Sequence, residues 1–318
     1  MKTFPIVFTG DANYIKYISV TIASIMSNAN KNVSYKFFIL SDEVDEDTQF
    51  LLKNWINKYS NFSLEIILLD ELRHKDFFVN SWHGKGAYYL LYIPKLFKDY
   101  ERVLYLDGDT IVDYDISEMF EIDFENNLVI GVTDYMSDYI KNDLQGYREY
   151  FYNILKLETP EKYINTGVVM FNTKLISELK IEDEFINIID EIKEPKFHDQ
   201  CLLNCVVGRY GEAKIMSSKY NYLRGYKDDI NMPYSYMFKD TLLKVLKLRK
   251  KEESLFYIYH YLTQIKPWKG KRASNNLFYR YIYSLNHLRP PKQISKQIYE
   301  ENAIKHPLHW KLFMKFFS

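Results

Sequence analysis

Cysteine is almost absent: the 318 residues hold two, Cys201 and Cys205, four positions apart. Two cysteines in a helical-looking stretch build no disulfide framework, and a reducing compartment is the expectation. Glycine and proline are scarce, with 11 and 9 copies, which excludes collagen-like and low-complexity chains. Net charge is absent as well, 42 acidic residues against 42 basic, so no global field draws the chain to nucleic acid. No apolar run approaches the length of a membrane span. The opening MKTFPIVFTGDANY turns polar too early for a signal peptide and reads as a first strand.

Aromatic residues are abundant, 17% of the chain, with tyrosine alone occurring 29 times. The length suits one large α/β domain or two smaller ones. PIVFTGD, VSYKFFILSDE, FSLEIILLD and RVLYLDGDTIV read as four strands. NYIKYISVTIASIMSNA and DEDTQFLLKNWINKYS between them carry helical periodicity, the second with an acidic first turn. GAYYLLYIPKLFKDY reads as a helix that Pro94 kinks or breaks. Further on, LVIGVTDY, INTGVVMFN and SLFYIYHYL read as strands, residues 182–193 as a helix, and SKYNYLRGYKDDINMPYSYMF as a loop. Strands alternating with helices predict an α/β fold, a mostly parallel sheet covered on both faces. Ligands bind such sheets beyond the carboxyl ends of the strands. Asp11 and the pair Asp107 and Asp109 fall at such ends.

Asp107-Gly108-Asp109 sets two carboxylates side by side at the end of an apolar strand. Like charges that close repel, and each costs free energy to desolvate, so a divalent cation is the natural compensation. Alone, the tripeptide reads equally as an ordinary turn. Its company is more specific. VFTGDANYIKYISVTIASI, YLDGDTIV, YINTGVVMFN, HDQ and HYLTQIKPW occur in that order. Together they resemble glycosyltransferase family 8, retaining enzymes of the GT-A fold (Rossmann-like), over about residues 4–270.

The resemblance implies Mn²⁺ or Mg²⁺ held by Asp107, Asp109 and His260, the imidazole tilting preference toward manganese. It implies a UDP-sugar donor beside Gly108, with Lys266 on the diphosphate and Asp11 and Asn13 at the uracil and ribose. Asn165, Thr166 and Gly167 would line the donor sugar, the glycine letting the backbone approach closely. Asp134 and Asp199 would hold sugar hydroxyls, and Gln200 would lie near the anomeric carbon. Each residue has a plainer reading too. Asp11 suits a turn, Asn13 a helix N-cap, His260 a packed core, Lys266 a solvated loop, and His198-Asp199-Gln200 a helix start. The chain departs from the family pattern at three places. Leu90 stands where an arginine is usual, with Lys85 and Arg102 as nearby replacements; Cys201 follows Asp199-Gln200 in place of an acid; Thr263 replaces a glycine.

The implied activity is metal-dependent retaining transfer of glucose or galactose from UDP to a hydroxyl of a surface glycan, lipopolysaccharide or capsule-like. Gln200 is a poor nucleophile, which favours same-face attack with the leaving phosphate as base. Three alternatives stand beside it: a glycosylated protein as acceptor, a degenerate binder of sugar nucleotide or glycan, and a glycoside hydrolase. The last needs two carboxyl groups about 5 to 9.5 Å apart flanking the bond, and Asp107 and Asp109 do not resemble such a pair. Tyr222, Tyr226, Tyr234 and Tyr236 suit either sugar stacking on the acceptor side or a core.

Residues 1–270 are expected to form the catalytic domain and 271–318 a separate tail. The tail carries nine basic residues against two acidic ones and ends in HPLHWKLFMKFFS. A basic, aromatic amphipathic segment suits an anionic membrane surface, or else a helix docked on the domain. The expected location is cytoplasmic, peripheral at the cytoplasmic face of the membrane.

Overall fold

A computed structural model describes residues 2–72, 75–79, 84–224, 256–262 and 266. The tail 271–318 therefore lies outside the described residues, as do Tyr226, Tyr234, Tyr236 and Thr263.

The strands are β1 Thr3–Thr9, β2 Ser34–Ser41, β3 Phe62–Leu68, β4 Val103–Leu106, β5 Thr110–Val112, β6 Val129–Thr133, β7 Ile164–Phe171, β8 Ala213–Ile215, β9 Tyr222–Arg224 and β10 Ile258–Tyr261. The α-helices are α1 Ile15–Asn28, α2 Glu46–Ile56, α3 Ile93–Leu96, α4 Met136–Lys141, α5 Tyr147–Glu149, α6 Thr173–Glu178, α7 Glu184–Glu191 and α8 His198–Tyr210. Seven strands form one sheet in the order β3-β2-β1-β4-β7-β6-β8, and β5-β10-β9 form a second. In the large sheet only β7 runs antiparallel to its neighbours, β4 and β6.

Period-2 alternation buries both faces of the large sheet. Phe4, Ile6 and Phe8 of β1 and Leu104 and Leu106 of β4 pack with α1 and α2. Val7, Val103 and Tyr105 point the other way, into the cluster with α7, α8 and the 3-10 helix Lys85–Tyr92. α2 starts where its acidic turn predicts: the Asp45 carboxylate accepts the Thr48 N–H at 2.8 Å. Such a cap contributes about 1 kcal/mol. Both cysteines are free and buried, and burial pushes each thiol up to about 11, so neither is a reactive thiolate.

Three local expectations change. RVLYLDGDTIV is two strands, not one: β4 ends the run inside the large sheet, and β5 leaves it to pair with β10. The Asp-Gly-Asp turn is the crossing point. β5 has β10 on one edge and polar side chains of α1 on the other. Ser24 Oγ accepts the Val112 N–H at 3.0 Å, and Asn28 Nδ2 donates to the Val112 carbonyl at 2.9 Å. That is why Thr21, Ser24 and Asn28 are buried polar residues on one stripe of a helix. GAYYLLYIPKLFKDY is a 3-10 helix, Lys85–Tyr92, followed by α3. Pro94 lies in the first turn of α3, where its missing N–H costs nothing, so it starts a helix rather than breaking one. The expected loop after Ser217 contains β9, parallel to β10. Tyr222 on β9 stacks on Phe256 at 3.7 Å, a packing role.

Candidate active site

A cleft of about 720 Å³ opens beyond the carboxyl ends of β1 and β4. Every residue expected at the metal or the donor lines it: Asp11, Asn13, Asp107, Gly108, Asp109, Asp134, Asn165, Thr166, Gly167, Asp199, Gln200, His260 and Lys266. Asn13 does not cap α1. Tyr14 occupies the cap position, and the Asp11 carboxylate accepts the Tyr14 N–H at 3.0 Å, the turn role expected of Asp11.

The Asp-Gly-Asp turn is tied to its surroundings. Thr21 Oγ1 of α1 donates within 3.0 Å of the Gly108 carbonyl and 2.8 Å of the Thr110 carbonyl. Gly108 is required there, because a Cβ would meet Ile18 Cγ1 at 2.5 Å. Tyr105 Oη donates to Asp107 Oδ1 at 2.6 Å and lies 3.0 Å from Thr9 Oγ1. Asp107 Oδ2 is left facing His260.

His260 reaches the turn through the antiparallel pairing of β10 with β5, in which it stands opposite Thr110. Its Nε2 lies 3.3 Å from both Asp107 Oδ2 and Asp109 Oδ1. Ligand atoms from these three residues lie within 4.8 Å of one another. Lys266 Nζ is paired with the other Asp109 oxygen, Oδ2. Burial pushes the Asp109 carboxyl up, but Lys266 and His260 outweigh it and hold it well below the usual carboxylate range. Burial pushes His260 down, and Asp109 and Asp107 overcome that to hold it up at about 9. Asp109 Oδ1 is buried and accepts no hydrogen bond among the described residues. An orphaned carboxylate oxygen, a second carboxylate and an imidazole nitrogen together make a donor set that fits a divalent cation of the Mn²⁺ or Mg²⁺ type.

The far wall is built on β7 and α8. Asn204 clamps them together. Its Oδ1 accepts the Ile164 N–H at 2.8 Å, and its Nδ2 donates to the Ile164 and Gln200 carbonyls at 2.9 and 2.8 Å. Asp199 and Gln200, in the first turn of α8, are thereby held against 165–167. Thr166 Oγ1 donates to Asp199 Oδ2 at 2.9 Å, and Asn165 Nδ2 donates to Gln200 Oε1 at 3.1 Å and to Asp134 Oδ2 at 2.9 Å. Burial, helped by the Asp107 charge, pushes Asp199 up to about 8, and burial raises Asp134 despite its hydrogen bonds. His198, just before this pair, has a positive φ of 46°, a strained backbone beside the site. Gly167 has a further reason for being glycine beside the one expected. A Cβ there would run into the His260 ring and lie 2.9 Å from Asp107 Oδ2, so its space is taken by the carboxylate–imidazole cluster.

Sequence reasoning missed Tyr105, Gly86, Asn204 and Asn221. Gly86 packs on the β1 loop, where a Cβ would meet Gly10 Cα at 3.1 Å; two glycines flanking Lys85 in a glycine-poor chain were the available signal. Leu90 is buried in the apolar cluster and does not reach the cleft. Both proposed replacements have partners of their own in this structure. Arg102 donates to the Phe120 and Ile122 carbonyls at 2.7 and 2.9 Å, and Lys85 pairs with Asp42 at 2.5 Å.

Known proteins carry the same arrangement of elements. The solved structure of the bifunctional glycosyltransferase WbbM superposes with a TM-score of 0.71 at 25% identity, covering 93% of this chain and 51% of that one. This chain thus spans about half of WbbM. The galactosyltransferase LgtC, solved with donor and acceptor sugar analogues, superposes with a TM-score of 0.64 at 18% identity, covering 89% and 95% of the two chains. The fold is therefore the GT-A type. In sequence, a lipopolysaccharide 1,2-glucosyltransferase of Escherichia coli is 26% identical over 321 residues, 98% of this chain and 88% of that protein. A lipopolysaccharide 1,3-galactosyltransferase of Salmonella typhimurium is 24% identical over 272 residues, 83% and 73% of the two. The family model described as glycosyl transferase family 8 matches residues 5–272, a span that holds the whole cleft, and by that match the chain belongs to glycosyltransferase family 8.

Proposed function

We propose that the chain is a divalent-cation-dependent, retaining hexosyltransferase. It takes glucose or galactose from a UDP-sugar to a hydroxyl of a surface glycan, of the lipopolysaccharide or capsule type. The observation that carries this reading is the convergence of Asp107 Oδ2, Asp109 Oδ1 and His260 Nε2 at one end of the cleft, with Lys266 beside them. A cation bound by these three residues supplies electrostatic stabilisation for the leaving diphosphate.

The chain's own residues do the rest. Lys266 turns from Asp109 Oδ2 to the diphosphate, a point charge suited to phosphate. Tyr105 holds Asp107 by one oxygen. Asp11 and Asn13 take the nucleoside end, and Asn165, Thr166 and Asp134 the sugar. In the cation-free site, burial and the Asp107 charge push Asp199 up to about 8, which favours its neutral form, a donor to a sugar hydroxyl and a poor nucleophile. Gln200 is no nucleophile either, so same-face attack follows, the leaving phosphate taking the acceptor proton. The tail would bring the enzyme to an anionic membrane at its cytoplasmic face; its composition alone supports this, and no helix among the described residues is long and apolar enough to cross a membrane.

The test is UDP release from UDP-glucose and UDP-galactose, with Mn²⁺ and with chelator. Manganese-dependent release from one donor supports the reading and names the sugar. Release that survives chelation overturns the metal dependence. A second reading, a binder without turnover, is favoured by Leu90 and the engaged Arg102; UDP-sugar binding without release or transfer would select it.

A further inference from the structure

We infer that Asn221 is a positioning residue that fixes which nitrogen of His260 faces the two carboxylates. The inference rests on the cation reading above. Asn221 is buried, just before β9, whose parallel pairing sets Leu223 opposite His260. Its Oδ1 lies 3.1 Å from His260 Nδ1, and its Nδ2 lies 2.8 Å from Asn165 Oδ1.

The direction of this chain of bonds is set from the backbone. A backbone N–H can only donate, and that of Gly167 donates to Asn165 Oδ1 at 3.0 Å. The other end of that amide donates to the Asp134 carboxylate, so the two ends of Asn165 cannot be exchanged. Because Asn165 presents an oxygen to Asn221, Asn221 must present its NH₂ in return. Its oxygen is then turned to His260. An amide oxygen only accepts, so Nδ1 of the neutral ring carries the hydrogen. In the neutral ring that a bound cation requires, Nε2 is left with its lone pair toward Asp107 Oδ2 and Asp109 Oδ1, 3.3 Å away on each side. This is the tautomer that ligates a cation. The opposite tautomer would set two acceptors against each other in a buried site. Asn221 also joins the cluster around His260 to the Asn165, Asp134 and Gln200 wall through one side chain.

The experiment compares the full-length parent with N221L and N221D. Mn²⁺ affinity is read from the paramagnetic resonance of free Mn²⁺, and thermal unfolding is followed in parallel. Leucine has similar bulk and no acceptor, so N221L is expected to bind Mn²⁺ about 10- to 100-fold more weakly. Aspartate still accepts the Nδ1 hydrogen but gives up the donor to Asn165 Oδ1, so N221D is expected to lose less Mn²⁺ affinity than N221L. If N221L does not fold, N221A takes its place as the variant without an acceptor: N221A binding Mn²⁺ more weakly than N221D supports the inference, and N221A binding it as well as N221D overturns it. Equal losses in both variants would make Asn221 a packing residue and overturn it too. A parent that binds Mn²⁺ while N221L binds it equally well overturns this inference alone. A parent that binds no Mn²⁺ overturns the cation reading and the inference together.

Discussion

Lys266 Nζ lies on Asp109 Oδ2, across 157 positions of chain, while the other oxygen of that carboxylate faces His260. The lysine thus holds the side of Asp109 that the cation reading leaves unused. K266M is expected to leave Mn²⁺ affinity intact and to raise KM for the UDP-sugar about 10- to 100-fold, the usual weight of a hydrogen bond to a charged group. Mn²⁺ titration beside initial-rate kinetics measures the split; a loss of Mn²⁺ affinity equal to the loss of donor affinity would contradict it.

Asp109 itself should be irreplaceable. D109N removes a ligand charge and leaves the buried His260 and the half-buried Lys266 without their shared partner. Mn²⁺-dependent UDP release is expected to fall to background. Stability is expected to fall by about 3 kcal/mol, the low end for breaking a buried pair because Lys266 is partly exposed. Urea denaturation of parent and variant checks the second figure.

Gly167→Ala adds one methyl group at the space filled by the His260 ring. The ring must give way, so Mn²⁺ binding should weaken while the fold loses only about 1–3 kcal/mol. An alanine variant with undiminished Mn²⁺ affinity would show that the ring has room elsewhere.

The pH dependence of stability has a defined sign. His260 is held at about 9 against an ordinary 6.5, and Asp199 at about 8 against 3.8. Both folded values are raised, so each group favours folding most below its unfolded value and loses that contribution as pH rises through the folded one. In chelator, the unfolding temperature should therefore decline from about pH 4 to 9, with His260 acting only above about 6.5. D199N should flatten the decline between about pH 4 and 8 and leave the upper limb in place. A profile unchanged by D199N would refute the burial of a titrating carboxyl there.

Much of this site was legible in the sequence, because its residues sit at the ends of strongly patterned strands. Asp11 follows β1, Asp107 follows β4, and Asn165, Thr166 and Gly167 lie within β7. The rest was hidden for physical reasons. An apolar run interrupted by Asp-Gly-Asp has the same alternation whether its halves share a sheet or part company. Only β10, about 150 residues later, reveals that β5 belongs elsewhere. Asn221 lies among polar and aromatic residues that read as loop, and nothing local distinguishes a buried asparagine from a solvated one. Pro94 and Asn13 misled for a simpler reason: proline starts helices as readily as it ends them, and the cap position was one residue off.

The crossing of the chain at Asp107-Gly108-Asp109 also fixes when the enzyme can exist. During synthesis the large sheet has all its strands once β8 has emerged, carboxylates included, yet β5 still lacks its partner and the turn lacks His260 and Lys266. A polypeptide halted before β10 would hold the two acids with neither the imidazole nor the ammonium that faces them in the finished fold. Two neighbouring acids thus wait for their counter-charges until a strand about 150 positions downstream has been made, which ties the maturation of the cluster to the far end of the described fold.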